Sequence, residues 1–123
     1  MRAAVLDSAF GFNNLRWMDR PKPTPKPNEV RIRVHAVSLN YRDILMIQGK
    51  YNPRQPLPLI PCSDGVGTVD AVGDGVSDSW LGQRVLPLFA QTWLRGAFDS
   101  AVLQHTLGGP LDGTLQELPL IHI

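Results

Sequence analysis

The chain has 123 residues, of which 43% are hydrophobic and 19% charged, and its formal net charge is +1. This composition is typical of a globular protein with one core and excludes wholesale disorder. The small net charge argues against nucleic-acid binding, and no apolar run approaches the about 18 residues of a membrane helix. The single cysteine, Cys62, excludes an internal disulfide and a cysteine-built zinc site. With no signal-like N-terminal segment, the expected compartment is the cytoplasm.

Two short strands and a proline-rich connection are predicted at the start of the chain. Residues 2–6 form an apolar run, and residues 15–18 alternate apolar and polar side chains. Proline at every second position from Pro21 to Pro27 favours an extended conformation. This segment is either a stiff link or a ligand for a proline-recognition domain. The link is favoured, because a strand follows at once.

The clearest predicted strand covers residues 30–36. Its apolar side chains alternate with Arg31, Arg33 and His35, and this period of two is typical of a half-buried antiparallel strand. We interpret the polar residues as the solvated face of the strand rather than as an anion site. His35 has no second histidine nearby, so no metal role is assigned to it.

One short helix is predicted near residues 41–48. Asn40 is a good N-cap, Asp43 stands three residues later as in a capping box, and Gly49 suits the position after the helix. The residues that fall on one face of this helix are Tyr41, Ile44, Leu45 and Gln48.

The second half of the chain is rich in turns. Residues 64–73 carry β-branched residues in a strand pattern, and Gly65 and Gly67 within it indicate a bulge or a close backbone approach. The remaining segments are a turn and strand over 81–89, a long loop or lobe over 90–113, and a last strand over 115–123 interrupted by Pro119. Together the elements predict a mainly β fold, built as a partly closed barrel.

The glycines of residues 65–67 do not form a dinucleotide-binding fingerprint. That fingerprint is G-x-G-x-x-G followed by a helix, whereas here the third glycine is missing from its place and a strand follows. The sequence also contains no phosphate-binding loop, zinc-protease helix or nucleophile elbow.

Four segments in register resemble the medium-chain dehydrogenase/reductase superfamily. They are residues 25–34, Ser38-Leu39-Asn40-Tyr41-Arg42-Asp43 with Gly49-Lys50-Tyr51, the glycine-containing segment 58–76, and Leu81-Gly82-Gln83-Arg84-Val85. The resemblance implies that residues 1–123 form the GroES-like domain of these enzymes, the N-terminal catalytic domain, with the nucleotide-binding domain absent. Residues 118–123 depart from the family's usual continuation and suggest an altered or truncated terminus.

Two departures from the family pattern predict that zinc is not bound. Zinc-dependent alcohol dehydrogenases place a cysteine where Asn40 stands and a histidine–glutamate pair where Ser63 and Asp64 stand. Asparagine and serine are poor zinc ligands. The four cysteines of the family's structural zinc site are also missing from residues 90–113. The chain therefore resembles the zinc-independent, quinone oxidoreductase-like branch, with no metal site.

This resemblance implies hydride transfer from a reduced nicotinamide, NAD(P)H, to a small carbonyl compound, enone or quinone. Asn40 would hydrogen-bond near the nicotinamide or the substrate oxygen, and Tyr51 would offer a phenol donor to the same cleft. Ser63 and Asp64 would form the floor of the cleft, which Asp43 also borders. Each residue has a structural alternative: a helix cap for Asn40 and Asp43, a packed ring for Tyr51, and a backbone acceptor for Asp64.

Without a nucleotide-binding domain, the chain is expected to bind NAD(P)H weakly at most and to have little activity alone. The alternative function is a non-enzymatic GroES-like barrel that acts as a binding or assembly module. A homo-oligomer is expected in either case, formed through an exposed barrel edge and uncovered apolar side chains. The side chains expected to be exposed include Ile44, Leu59, Phe89 and those of residues 118–123.

Overall fold

A computed structural model describes all of residues 1–123 as two antiparallel sheets and one α-helix. The smaller sheet pairs β1 (Arg2–Leu6) with β2 (Leu15–Asp19). The larger sheet contains, in spatial order, β5 (Arg84–Val85), β4 (Asp64–Val72), β3 (Glu29–Ser38) and β6 (Leu120–His122). The helix α1 covers Tyr41–Ile47, and 3₁₀ turns cover Phe12–Asn14, Asp78–Trp80 and Ser100–His105. The mainly β prediction is confirmed, and no helix is both long and apolar enough to cross a bilayer.

The C-terminal segment joins the two sheets into a partly closed arrangement. Glu117 bonds to both of them, since its N–H donates to the carbonyl oxygen of Arg2 at 3.0 Å and its own carbonyl accepts from Val34 N–H at 3.0 Å. Beyond Pro119 the chain continues as β6 and pairs with β3. The last strand predicted over 115–123 is therefore two short pairing segments, as the proline within it suggested.

The antiparallel pair of β3 and β4 is the longest in the fold. A register irregularity interrupts it between Val34 and Ala36, close to Gly67 on the facing strand. A Cβ atom on Gly67 would lie 2.3 Å from the carbonyl oxygen of Arg33, so no larger residue fits without a backbone shift. The close backbone approach expected of this glycine is thus confirmed.

The segment after β4 is less regular than the sequence suggested. The strand predicted within residues 81–89 is only two residues long, and Pro87, which has no N–H to donate, follows it closely. The predicted loop over 90–113 contains one 3₁₀ turn and returns to the core through Leu107, which is 2% exposed.

Two side chains expected at the surface are buried instead. Leu59 is 1% exposed, because its N–H and carbonyl group both pair with Leu6 at 3.0 and 2.8 Å and hold it against the interior. Ile121 is 5% exposed and packs in the main core of the larger sheet. That core consists of Val30, Ile32, Val69, Leu107 and Ile121.

The helix α1 begins after Asn40, as predicted, and its Tyr41–Ile44–Gln48 face is turned to solvent, as was expected of Ile44. Tyr41 is 73% exposed and Ile44 42% exposed. A seven-residue helix with apolar residues on two overlapping faces does not specify which one packs, so tertiary contacts decide. The residues on the buried face are Asp43, Met46 and Ile47.

Candidate functional site

The end of β3 and the start of β4 bring Asn40 and Asp64 together. Ser38 lies opposite Asp64 in the strand register, and Asn40 follows two residues later in an extended conformation with φ −120° and ψ 159°. The side-chain Nδ2 of Asn40 donates a hydrogen bond to Asp64 Oδ2. Asn40 and Asp64, which are 24 positions apart in sequence, are thus hydrogen-bonded directly where the chain passes from β3 into α1.

Asp43 holds Asn40 from the helix side. The backbone N–H of Asn40 donates to Asp43 Oδ2 at 2.8 Å, which completes the predicted capping box. Asp43 is 3% exposed, and its other oxygen, Oδ1, is buried without a hydrogen-bond partner. The backbone and the side chain of Asn40 are therefore both fixed by carboxylates.

Ser63 donates to the same carboxylate oxygen as Asn40. Its Oγ lies 3.2 Å from Asp64 Oδ2. Ser63 is 4% exposed, whereas Asp64 is exposed to solvent, so the buried hydroxyl supports an accessible carboxylate. Four of the five predicted site residues, Asn40, Asp43, Ser63 and Asp64, thus form one hydrogen-bonded group, which we call the Asp64 cluster.

Cys62 lies beneath this cluster in a strained backbone conformation. Its φ of +71° falls in the left-handed region, which residues other than glycine rarely adopt. Gly113 packs so closely that a Cβ atom on it would lie 1.9 Å from the carbonyl oxygen of Cys62. Burial raises the pKa of the Cys62 thiol to about 12, and the Asp43 and Asp64 carboxylates contribute. Cys62 is therefore a thiol and not a nucleophilic thiolate at neutral pH.

Tyr51 is not hydrogen-bonded to the Asp64 cluster and is held by Arg42. The Arg42 guanidinium lies 4.6 Å from the centroid of the Tyr51 ring and 4.8 Å from that of Phe89. It also donates to the carbonyl oxygens of Gly109 at 2.8 Å and Leu107 at 3.2 Å. Tyr51 is 47% exposed, and its hydroxyl makes no hydrogen bond within the chain. Arg42 had no predicted role, because no local sequence signal shows that the Tyr51 and Phe89 rings both pack against its guanidinium.

The residues of the Asp64 cluster do not suit zinc. Asp64 is the one accessible carboxylate, and Asn40 and Ser63 already donate to it. Neither an amide nor a serine hydroxyl is a ligand that zinc prefers. No group of three His, Cys, Asp or Glu side chains in the chain is arranged to hold a metal ion.

The glycines near the site do not form a cradle for a dinucleotide. Gly65 and Gly67 lie inside β4, where they pair with Val37 and Val34 of β3. A pyrophosphate is normally bound where a strand turns into the N-terminus of a helix, and β4 runs on as a strand. The residues present thus do not fit the pyrophosphate part of a nicotinamide cofactor.

Comparison with known proteins reveals a clear relationship. Residues 26–122 match the alcohol dehydrogenase GroES-like domain family. The chain is 41% identical over 90 residues to the synaptic vesicle membrane protein VAT-1 homolog of Rattus norvegicus. The aligned residues make up 72% of this chain and 22% of that protein. It is also 33% identical over 122 residues to a zinc-type alcohol dehydrogenase-like protein of Schizosaccharomyces pombe. That alignment includes 98% of this chain and 35% of that protein.

The same relationship holds for solved structures. The crystal structure of an NAD-dependent alcohol dehydrogenase superposes with a TM-score of 0.81 at 32% identity, over 99% of this chain and 37% of that one. The chain therefore spans between 22% and 37% of the length of the three proteins described.

Proposed function

We propose that this chain, which belongs to the alcohol dehydrogenase GroES-like domain family, forms the substrate-side wall of a zinc-independent oxidoreductase site. The substrate class is a small carbonyl compound, enone or quinone. The observation that carries the proposal is the Asp64 cluster, in which an accessible carboxylate fixes the amide of Asn40 and the hydroxyl of Ser63. Asp43 serves as a positioning residue, because it holds the backbone of Asn40.

Asp64 determines which hydrogen-bonding groups remain for a ligand. The Nδ2 of Asn40 donates one of its two hydrogens to Asp64, and its Oδ1 accepts from Ser38 Oγ at 3.4 Å and from the Asp43 N–H of the capping box. The second Nδ2 hydrogen is therefore the group of this amide that is left for a ligand acceptor. The hydroxyl hydrogen of Ser63 is also donated to Asp64 and is therefore not available to a ligand. Among the five site residues, Tyr51 keeps a free O–H, so we assign it the hydrogen bond to the substrate oxygen. A phenol aimed there would stabilise negative charge as hydride is added to the carbonyl carbon.

The cofactor in this proposal is NADH or NADPH, which supplies the hydride when bound. Because this chain has no dinucleotide cradle, its residues are given no part in holding the pyrophosphate, and tight binding of the cofactor to the chain alone is not expected. Its own contribution is to bind and orient the substrate.

Zinc independence is part of the proposal and rests on the donor set of the Asp64 cluster. Because one relative, from Schizosaccharomyces pombe, is named a zinc-type protein, the zinc content of this chain needs a direct test. We also keep the cytoplasm as the proposed compartment, since the lone cysteine, Cys62, is a free and buried thiol.

The test is a titration of ¹⁵N-labelled protein with 2-cyclohexen-1-one, a small enone, followed by amide chemical shifts. We expect saturable shifts at Asn40, Tyr51, Ser63 and Asp64. Tyr51→Phe should weaken binding by about fivefold, the value of one neutral hydrogen bond. Tyr41→Phe is the matched control, since Tyr41 is another exposed phenol outside the proposed contacts. Equal losses in both variants, or shifts elsewhere on the molecule, would overturn the proposal.

The second candidate is a non-enzymatic binding or assembly module, which an apolar groove beside β6 favours. A fluorescence titration with NADPH helps to separate the two. Micromolar binding favours the enzyme-derived site. No binding of NADPH at millimolar concentration, together with no shifts on adding the enone, favours the module.

A further inference from the structure

The outer face of the larger sheet carries a group of basic side chains that the Asp64 cluster does not use. Arg33 of β3 pairs with Thr68 of β4, and Thr68 pairs with Arg84 of β5. Lateral neighbours in a sheet point to the same face, so the two arginines flank the threonine hydroxyl. His35 completes the group, with its Nε2 2.8 Å from Thr68 Oγ1. We call Arg33, His35, Thr68 and Arg84 the basic patch.

The carboxylate next to the basic patch is already neutralised. Asp70 accepts a hydrogen bond from Arg31 Nε at 2.7 Å, and both side chains are only 11–12% exposed. Arg33 approaches Asp70 at 3.8 Å and keeps 67% of its side chain exposed. Arg84 is exposed and forms no ion pair. Because Arg31 neutralises Asp70, two guanidinium groups remain on this face without a closely bound counter-charge.

The hydroxyl between the two arginines is able to act as a third donor. In its Nε2–H tautomer and in its imidazolium form, His35 donates to Thr68 Oγ1. The hydroxyl hydrogen of Thr68 is then free to point outward. Two guanidinium forks around a hydroxyl match an oxyanion, since guanidinium groups pair with phosphate through two parallel hydrogen bonds.

We propose that the basic patch binds the phosphate group of a small phosphate monoester or of inorganic phosphate. The inference is independent of the proposed oxidoreductase function, because it shares no residue with the Asp64 cluster or with Tyr51. It also goes beyond the sequence interpretation, in which Arg31, Arg33 and His35 only formed a solvated face. The new observations are the lateral placement of Arg84 and the bond between His35 and Thr68.

The experiment is an NMR titration of the ¹⁵N-labelled chain with inorganic phosphate and with glycerol 3-phosphate, at constant ionic strength against sodium chloride. We expect saturable amide shifts confined to residues 33–35, 67–69 and 84–85. Arg84→Gln and Arg33→Gln should each weaken binding about fivefold, the upper range for one exposed charge pair. Arg54→Gln changes another exposed arginine, outside the patch, and should leave binding unchanged. The spectra themselves show whether each variant stays folded.

A co-sedimentation assay separates a soluble phosphate from a lipid headgroup. Vesicles of phosphatidylcholine with phosphatidic acid are compared with vesicles of phosphatidylcholine alone. Binding of the soluble phosphates that is lost in the Arg33 and Arg84 variants assigns the patch to a soluble ligand. Binding to the acidic vesicles alone, lost in the same variants, assigns it to a lipid phosphate. The proposal is overturned if neither binds, or if Arg54→Gln weakens binding as much as Arg84→Gln does.

Discussion

Asn40 has two roles in the structure, and substitutions are able to separate them. Asn40→Asp keeps a good N-cap for α1, but it replaces the amide donor by a carboxylate that faces Asp64. We expect this variant to stay helical and to bind 2-cyclohexen-1-one about tenfold more weakly, as for the loss of a charge-assisted hydrogen bond. The same NMR titration measures it. His35→Ala serves as the control, because His35 contacts Thr68 on the outer face of the sheet.

Asn40→Ala extends this test to the cofactor. If NADPH binds to the chain at all, Asn40→Ala should weaken that binding more than His35→Ala, since only Asn40 belongs to the Asp64 cluster. The fluorescence titration with NADPH measures both. Equal effects would mean that the role of Asn40 taken from the family does not apply to this chain.

The buried thiol of Cys62 makes stability depend on pH in the alkaline range. Its pKa is about 12 in the folded chain, against 9.0 when unperturbed. The unfolded chain therefore loses this proton first, and the free energy of unfolding falls as the pH rises from about 9 to about 12. The slope is at most about 1.4 kcal/mol per pH unit, and below pH 9 the full contribution is retained. Urea unfolding at several pH values should show this slope in the wild type and not in Cys62→Ala, and parallel curves would contradict it.

Metal content tests the zinc-independent assignment at Asn40 and Ser63. An amide and a hydroxyl stand where thiolate and imidazole ligands would be needed, so purified protein should hold much less than one zinc per chain. Elemental analysis after dialysis against a weak chelator measures this. One tightly bound zinc per chain would refute the assignment.

The connection between the C-terminal segment and the floor of the site depends on Gly113. A Cβ atom at this position would lie 1.9 Å from the carbonyl oxygen of Cys62, and the backbone on both sides leaves little room to move. Gly113→Ala should therefore lower the free energy of unfolding by roughly 1–3 kcal/mol, as overpacking does. Gly82→Asn is the control, since nothing lies within 4 Å of its Cβ position and asparagine tolerates its φ of +81°. Urea unfolding curves compare the two, and equal losses would show that close packing is not the cause.

Regular elements with a clear local signal were predictable, whereas contacts between distant segments were not. The alternation over residues 30–36 and the Asn40–Asp43 cap are properties of neighbouring residues, and β3 and the start of α1 follow them closely. The burial of Leu59 depends on partners elsewhere in the chain, so the sequence prediction was wrong there. The inward face of α1 depends on such partners too, and the sequence analysis did not assign it.

The site shows the same division between local and distant signals. The resemblance to a family predicted that Asn40 and Asp64 lie in one cleft, because the family pattern carries information on tertiary contacts. No pattern pointed to Arg42, whose two aromatic neighbours, Tyr51 and Phe89, come from separate segments.

The molecule as a whole presents an apolar groove next to β6. The groove has a volume of about 290 Å³, and nine of its twelve lining residues are hydrophobic. Leu86 is 75% exposed at its margin and Ile123 45% exposed. The outer edge of β6 is less open than expected, because the His122 N–H donates to the buried side chain of Gln91 at 3.0 Å. Contact through the groove is therefore favoured over pairing of strand edges.

We propose that a second copy of the chain covers this groove. Burial of roughly 400 Å² of apolar surface contributes about 10 kcal/mol at ~25 cal/mol/Å², against an association cost of about 4–15 kcal/mol. The two contributions are close in size, and we expect a dimer or a higher oligomer at high micromolar concentration, which light scattering detects. A monomer mass at that concentration would refute the prediction.

Substitutions then locate the contact. Leu86→Arg should shift the protein toward the monomer, because it places a charge at the margin of the groove. Leu39→Arg should not, although Leu39 is also 75% exposed, since Leu39 lies between β3 and α1 and does not line the groove. Light scattering on both variants decides. Because the two leucines share their exposure and differ in position, loss of association in Leu86→Arg alone would assign the interface to the groove rather than to exposed apolar surface in general.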